Sequence, residues 1–262
     1  MIKKAIEGIG EKVVANYRDL HDLVVFAVSC IFFLVTPSSY DRATRKVLIR
    51  QVYFTSVQIL PFFLTLCFVF GSITIGAAMG AVKQMGLFDM LGEMVFGVVI
   101  TEIAPLLTVI LISLRSSSAM NTEIAVMNVN NELDTLRAFG IDEKRYLAMP
   151  RIINSVVSIV MLSYLFAFIS VLSGSFFSLL FFGTGFELYL NILAKSISLG
   201  DIGILLFKSV AFGLAVSIIP IYSGLLASKQ MTGIPISVLK GMVRIFNAII
   251  FIEVASLALK AI

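Results

Sequence analysis

Five long apolar blocks run through this chain, at about residues 54–82, 91–114, 152–182, 202–227 and 241–260. Each reaches the roughly 20 residues that an α-helix needs to cross a hydrocarbon core about 30 Å thick. Lipid offers no partners for backbone amides, so such segments must be helices or strands of a closed barrel. Barrel strands alternate apolar and polar residues, and these blocks do not. The sequence therefore predicts an all-α integral membrane protein with five transmembrane helices.

The composition agrees with this class of protein. Hydrophobic residues make up 59% of the chain and charged residues only 14%, far from the balance of a water-soluble domain. No shift in composition marks a second domain, so residues 1–262 are predicted to form one membrane domain. Cys30 and Cys67 lie inside apolar segments, where cysteine behaves as a small hydrophobe rather than as half of a disulfide or a metal ligand.

The amino-terminal region, residues 1–50, differs from the rest. Residues 1–22 mix charged and apolar positions at helical spacing, which predicts an amphipathic helix on the membrane surface. Residues 23–36 are apolar but too short for a comfortable span, so an interfacial or re-entrant segment is predicted there. A cleavable signal peptide is the alternative, but acidic residues precede this apolar run and no small-residue cleavage site follows it.

Lysine and arginine are distributed unevenly between the two sides of the predicted helices. If the amino terminus is cytoplasmic, sixteen of the twenty basic residues fall on the cytoplasmic side, Lys83, Lys195 and Lys260 fall outside, and Lys208 lies within a span. The positive-inside rule favours this orientation, with the carboxyl terminus on the periplasmic side. The net charge of +4 follows from this bias in the loops, so no nucleic-acid partner is predicted.

A polar segment of residues 115–151 separates the second and third blocks and is predicted to face the cytoplasm. Its apolar residues recur at helical spacing: Met120, Ile124, Met127, Leu133 and Leu136. Two short amphipathic helices along the membrane surface fit this pattern. Gly140 is suited to end the second of them, and Pro150 to start the next span. A solvated loop with incidental periodicity is the alternative.

Three ionisable residues lie away from the ends of the apolar blocks, where a central charge costs roughly 2.5–3.5 kcal/mol on insertion scales. Glu102 lies near the middle of the second block, shortly before Pro105, which frees a backbone carbonyl on the preceding turn. One interpretation places Glu102 in the wall of a substrate cavity, and the other gives it a hydrogen bond to a serine or threonine of another helix. Lys208 and Glu253 are predicted to neutralise one another, unless Lys208 snorkels to the nearby interface.

The chain carries no motif for catalysis. It lacks a phosphate-binding G-x-x-x-x-G-K-[ST] loop, the zinc motif H-E-x-x-H, a serine nucleophile elbow and a metal-ligand set. We therefore predict a protein that is not an enzyme, with no cofactor of its own. A GxxxG match at Gly76–Gly80 suits close packing of helices, either within one subunit or at a dimer seam.

Four motifs follow one another along the chain: Glu102-Ile-Ala-Pro105, Arg115-x-x-x-Ala119-x-x-x-Glu123-Ile-x-x-Met127, Leu133-x-x-Leu136-x-x-x-Gly-Ile-Asp142 and Pro150-Arg151. Their order and spacing, within this plan of helices, resemble the MlaE/YrbE family of ABC-transporter permeases. The resemblance extends from Arg50 onward and covers nearly the whole chain. Family members usually carry glycines near positions 117 and 125 and a basic residue near 128, whereas this chain has Ser117, Ala125 and Asn128.

The resemblance implies the permease subunit of a transporter that moves phospholipids or related lipids between the inner and outer bacterial membranes and supports the lipid asymmetry of the outer membrane. The implied assembly is a homodimer in the inner membrane, with a cytoplasmic ATPase that binds ATP and Mg²⁺, an MCE-domain protein on the outer side and a small regulator of the ATPase. The polar segment would be the coupling helix that contacts the ATPase, through Arg115, Glu123, Met127, Leu133, Asp134, Leu136, Asp142 and Arg151. The lipid cavity would be lined by Thr74, Ala78, Ala81, Met85, Thr101, Glu102 and Pro105.

Two other classes of function remain open from the sequence. A secondary transporter driven by an ion gradient would use Glu102, Lys208 and Glu253 as a proton or ion relay, and would work without ATP. A membrane scaffold that moves nothing would tolerate substitution of Glu102 but not of the polar segment.

Overall fold

The computed structural model describes residues 2–35, 53–86, 90–182 and 186–261, and its regular structure in these ranges is helical. The helices are α1 (Ile2–Val35), α2 (Leu60–Met85), α3 (Leu91–Val129), α4 (Glu132–Ala138), α5 (Met149–Phe182), α6 (Phe186–Ser196), α7 (Leu199–Leu225) and α8 (Gly233–Ala261). Five helical stretches, those of α2, α3, α5, α7 and α8, are long and apolar enough to cross a membrane. The predicted all-α membrane fold with five spans is confirmed.

Helix α3 is longer than the predicted second span, because the first part of the polar segment continues it. It reaches Val129 through two π-helical stretches, Val95–Ile103 and Ser113–Ser117. No glycine or proline interrupts residues 106–129, and hydroxyl groups return hydrogen bonds to the preceding turn, as from Ser118 Oγ to the Leu114 carbonyl at 2.5 Å. The predicted boundary at residue 114 was therefore wrong, and residues 115–129 are not a separate surface helix.

The last three spans begin earlier than predicted, although the number of spans is correct. A π-helical turn, Lys144–Ala148, leads directly into α5, so helix precedes Pro150 rather than starting with it. Helices α7 and α8 begin at Leu199 and Gly233, ahead of the predicted residues 202 and 241. The predicted end of α4 is confirmed, because Gly140 follows it with φ of +71°.

Helix α1 joins the two predicted amino-terminal segments into one unbroken helix of 34 residues. Phe26 and Cys30 on one face pack in a small core with residues of α3, α5 and α7: Ile124, Ile152, Ile218, Ile221 and Tyr222. The Asp19 carboxylate pairs with the Arg244 guanidinium of α8. Helix α1 thus lies against the end of the bundle that carries residues 118–148 and 226–240, called the polar end below. The rest of the amino-terminal region, residues 36–50, lies outside the described residues.

Helix α5 is the centre of the bundle and packs against α2, α3 and α7. The buried face of α2 presents Phe63, Cys67, Ile75 and Met79 to the main core. Close approach between α2 and α5 depends on Gly71, because a Cβ there would lie 2.6 Å from the Ser170 Cα. Gly76 is packed against the Phe177 ring of the same subunit, whereas Gly80 faces open space. In the GxxxG match, Gly76 therefore serves packing within the subunit.

We expect Gly71→Ala to destabilise the bundle by about 1–3 kcal/mol, because the clash is with backbone and α2 must move away from α5. Gly80→Ala is the matched control, since no atom lies within 4 Å of its Cβ position and alanine is the better helix former. Thermal unfolding of the two purified variants in detergent measures the difference. Equal midpoints for the two variants would contradict the close contact.

Candidate functional site

A cluster of opposite charges lies inside the bundle, between α3, α7 and α8. The Lys208 ammonium pairs with the Glu102 carboxylate, and lies 2.9 Å from Glu253 Oε1. The side chain of Lys208 is fully buried, and the two carboxylate side chains are only 14% and 16% exposed. At 1.5 Å per residue, Lys208 lies about 13 Å from the start of α7, well inside the apolar layer. We call these residues, with Lys260, the charge cluster.

Lys260 closes the charge cluster from the end of α8. Its Nζ donates to the Gly97 carbonyl at 2.8 Å and to Thr101 Oγ1 at 2.9 Å, and lies 3.4 Å from Glu102 Oε1. Two ammonium groups thus face two carboxylates. Formal neutrality and this network of hydrogen bonds make a buried charge cluster tolerable in a membrane helix bundle.

Pro105 prepares α3 for this arrangement. It has no N–H to donate to the Thr101 carbonyl four residues earlier, and the Lys208 ammonium approaches that oxygen at 3.4 Å. The π-helical stretch Val95–Ile103 includes Thr101 and ends two residues before Pro105. Such stretches expose backbone groups that an α-helix would satisfy internally, and they are frequent at functional sites. The proline that follows Glu102 in the sequence therefore leaves a backbone carbonyl free, and Lys208 approaches it.

The expected neutralisation of Lys208 by Glu253 is confirmed, and the alternative that Lys208 snorkels to the interface was wrong. Among the described residues, Glu102 has no hydrogen bond with a serine or threonine of another helix, and the Thr101 hydroxyl of its own helix donates to Glu102 Oε1 at 3.3 Å. The part played by Lys260 was missed. Its spacing from Glu253, two helical turns along α8, was the signal that pointed to it.

The cavity residues predicted on α2 form a separate group from the charge cluster. Thr74, Ala78 and Ala81 are partly buried, and the Thr74 hydroxyl donates to the Phe70 carbonyl of its own helix at 2.7 Å. Met85 is the last residue of α2. Helix α2 does pack against the π-helical stretch of α3 that carries Thr101 and Glu102.

Glu123 and Arg151, both predicted to contact an ATPase, pair with each other. Arg151 Nη2 lies 2.8 Å from Glu123 Oε1, with the arginine side chain 6% exposed and the glutamate 62% exposed. The Nη1 atom of Arg151 is buried and has no hydrogen-bond partner within the ranges that the structure describes. This pair links α3 to α5 at the polar end. Arg115 is engaged nearby, donating to Gln58 Oε1 at 2.9 Å.

Helix α4 is fixed to the polar end by charged groups. Asp134 pairs with Lys229 and lies 3.3 Å from Arg137, and Arg137 in turn holds Glu143 at 2.7 Å. The hydrogen bond from Lys229 lowers the pKa of Asp134 below its ordinary value. A lowered pKa means that this contact stabilises the fold above the unfolded pKa of about 3.9 and is lost only as the pH falls below it.

The apolar residues of the polar segment divide into two groups. Leu133 is buried and Met127 and Leu136 are partly buried, so Leu133 holds α4 against the bundle instead of facing a partner. Phe139, which sequence reasoning missed, is 77% exposed directly before Gly140. Its position at the helix end was the available signal.

Asp142 lies at the turn between α4 and α5. Its Oδ1 accepts the Lys144 amide at 2.8 Å. Asp142 and Lys144 also line an open groove of about 620 Å³ with Val24, Val28 and Phe32 of α1. The residue therefore shapes the start of the next helix.

The three departures from the resembled family serve internal packing. The Ser117 hydroxyl donates to the Val216 carbonyl at 2.7 Å, and Ala125 is fully buried. The Asn128 amide donates to the Leu225 and Ala227 carbonyls at 3.1 and 2.8 Å, which caps the end of α7. These positions bind α3 to α7 and do not add to the exposed surface of the polar end.

Comparison with known proteins gives a consistent result. Residues 48–259 match the family described as Permease MlaE. The chain is 26% identical over 230 residues to the intermembrane phospholipid transport system permease protein MlaE of Haemophilus influenzae, covering 86% of this chain and 85% of that one. It is 32% identical over 133 residues to a probable ABC transporter permease of Synechocystis, covering 51% of each. A probable ABC transporter permease of Rickettsia conorii is 22% identical over 234 residues, 89% of each chain.

Proposed function

This chain belongs to the MlaE permease family, and we propose that it is the membrane permease subunit of an ABC transporter that moves phospholipids between the inner and outer bacterial membranes, supporting the lipid asymmetry of the outer membrane. The name of the Haemophilus relative supports phospholipid as the substrate. In this proposal the chain lies in the inner membrane with its amino terminus in the cytoplasm, as the distribution of basic residues favours.

The observation that carries the proposal is the continuity of α3. The helix runs without a break from Leu91 to Val129, about 58 Å at 1.5 Å per residue. It therefore connects Glu102 in the apolar layer with Glu123 at the polar end. A displacement of the polar end by a partner reaches the charge cluster along one helix, without a flexible loop between them.

The partners in this proposal are a cytoplasmic ATPase, which binds ATP and Mg²⁺, its small regulator, and an MCE-domain protein on the outer side. Two copies of the chain form a homodimer whose interface holds the lipid cavity, with Glu102, Thr101 and Pro105 near its wall and the α2 residues Thr74, Ala78, Ala81 and Met85 along it. The absence of a phosphate-binding loop from the sequence supports an external source of energy.

Transport then follows from two states of the polar end. ATP binding brings the two ATPase subunits together, and the exposed parts of the polar segment bind the closed and open ATPase pairs with different affinity. That difference is the free energy available to move α3. The Glu123–Arg151 pair carries the movement to α5, and the bundles close on the lipid cavity.

The test is a proteoliposome assay with a fluorescent phospholipid, the chain and its ATPase. We expect lipid movement only with ATP, and none with an ATPase variant that cannot hydrolyse it. Glu123→Arg is expected to lower transport per ATP hydrolysed at least fivefold, because it sets two cations side by side at the buried Arg151. The swapped pair Glu123→Arg with Arg151→Glu is the control and should recover part of the loss. Unchanged coupling in an intact complex would contradict the transmission of movement through the Glu123–Arg151 pair.

The charge cluster favours a second candidate, a transporter driven by an ion gradient. Carboxylates paired with a buried lysine are the groups that such a relay uses. The same proteoliposomes separate the two candidates, since a relay works without the ATPase and stops when an ionophore removes the gradient. A scaffold would show no lipid movement under either condition.

A further inference from the structure

A polar cavity at the polar end is not used by the proposed mechanism. It has a volume of about 380 Å³ and lies where α1 meets the connection between α7 and α8. The residues that decide its chemistry are Asp19, Ser228, Lys240 and Arg244, with Leu226 and Ile236 at its edge. Its size falls in the range of about 300–1,000 Å³ that small-molecule sites occupy. We call it the α1–α8 cavity.

The charges in the α1–α8 cavity do not balance. Asp19 is already satisfied, because it pairs with Arg244 and accepts the Tyr222 hydroxyl at 3.3 Å. Lys240 is exposed and has no ion-pair partner among the described residues. The Ser228 hydroxyl likewise makes no hydrogen bond within the described part of the chain. The cavity therefore holds one uncompensated positive charge and a free hydroxyl donor, which favour an anionic ligand with oxygen acceptors.

The surroundings of the cavity favour a lipid as the source of that anion. Leu226 and Ile236 at its edge are 56% and 55% exposed, so apolar surface borders the charged groups. Lys240 lies in the first part of the candidate span Gly233–Lys260. A basic residue at this position lies near the level of the phosphates of the adjacent leaflet, to which such residues are attracted. Polar side chains inside the cavity and apolar side chains at its edge match a lipid headgroup with its acyl chains attached.

We propose that the α1–α8 cavity binds the phosphate-bearing headgroup of a membrane phospholipid, through Lys240 and Ser228, with the acyl chains leaving past Leu226 and Ile236. The bound lipid bridges α1 to α8 beside the Asp19–Arg244 pair. This site lies at the opposite end of the bundle from the charge cluster. It requires only that the chain is embedded in a membrane, so it stands independently of the transport proposal.

The test uses the purified full-length chain in a phosphate-free alkyl maltoside micelle. The probe is phosphatidylglycerol with a photoreactive diazirine near the start of one acyl chain, and its partner probe is diacylglycerol with the same modified chain. After illumination, mass spectrometry measures the labelled fraction of the peptide that contains residues 226–239. We expect phosphatidylglycerol to label this peptide about tenfold more than diacylglycerol, since charge-assisted hydrogen bonds are the strong class. Equal labelling by the two probes would overturn the proposal.

The variants assign the effect to this cavity. Lys240→Gln should lower labelling by phosphatidylglycerol about tenfold, while Lys240→Arg keeps it. Lys195→Gln, which removes an exposed cation from α6 at the other end of the bundle, should leave it unchanged. Undiminished labelling of K240Q would overturn the assignment. Excess inorganic phosphate is expected not to compete, and full competition would identify a site for free phosphate in place of a lipid.

Discussion

Lys208→Met should destabilise the folded protein by about 3–5 kcal/mol, the effect expected when one partner of a buried ion pair is removed. Methionine fills a similar volume, so the loss comes from charge and not from a cavity. Glu102 and Glu253 would then face each other, and Lys260, 3.4 Å from Glu102 Oε1, would remain as the cation of the charge cluster. The measurement is the thermal midpoint of the purified chain, with its recovery by size-exclusion chromatography. A drop on the order of 10 °C corresponds to this free energy.

Two controls separate charge from shape at this position. Lys260→Met removes a cation that is 32% exposed, and we expect a loss of only about 0–1 kcal/mol, as for other solvent-accessible pairs. Combining Lys208→Met with Glu102→Gln and Glu253→Gln removes the uncompensated charges and should restore most of the stability. If the single variant unfolds at the temperature of the original chain, Lys208 is not the counter-charge that the geometry indicates.

Phe139→Ala should weaken binding of the partner ATPase by about 30-fold, which corresponds to roughly 2 kcal/mol. The ring is 77% exposed at the end of α4, and large aromatic side chains are the common anchors of protein interfaces. Helix α4 is held in place by the contacts of Asp134 and Arg137, so the anchor is presented on a fixed element. Titration of the labelled ATPase against the chain in nanodiscs measures the change in Kd.

The matched control for this variant is Leu199→Ala. Leu199 is 87% exposed at the start of α7, on the end of the bundle away from the polar segment. It should leave the affinity for the ATPase unchanged, and both variants should keep the original thermal midpoint. An ATPase that binds the F139A variant as tightly as the original chain would show that the docking surface lies elsewhere.

The number of spans could be predicted because a bilayer imposes a length and a polarity on each of them. Their ends could not, since a helix continues past the hydrocarbon layer until something breaks it. In α3 the hydroxyls of Ser118 and Thr122 bond back to the preceding turn, so the first part of the polar segment continues the membrane helix instead of forming a separate surface helix. The end of α4 was predictable because glycine readily takes the positive φ that often follows a helix, and Gly140 adopts it.

Most residues of the charge cluster could be predicted from the sequence, whereas their contacts could not. An ionisable residue in an apolar block must have a partner, which singled out Glu102, Lys208 and Glu253. Which helix supplies the partner depends on how the helices are rotated and staggered, and that is decided by packing between residues far apart in sequence. Periodicity likewise identified an apolar face in the polar segment, but not that Leu133 would be covered by the bundle while Phe139 stays exposed.

Helix α8 is the least enclosed of the five spans, with only 11% of its most apolar window buried. Its ion pairs with the rest of the bundle lie at Arg244 near one end and at Glu253 and Lys260 near the other, and Ile245 and Ile249 between them are buried in the main core. Other side chains between these ion pairs, such as Ile250 and Phe251, point away from the bundle. The exposed face of this helix can therefore accept almost any lipophilic residue during evolution, whereas a change at Arg244, Glu253 or the buried Ile245 and Ile249 removes contacts that hold the helix in place.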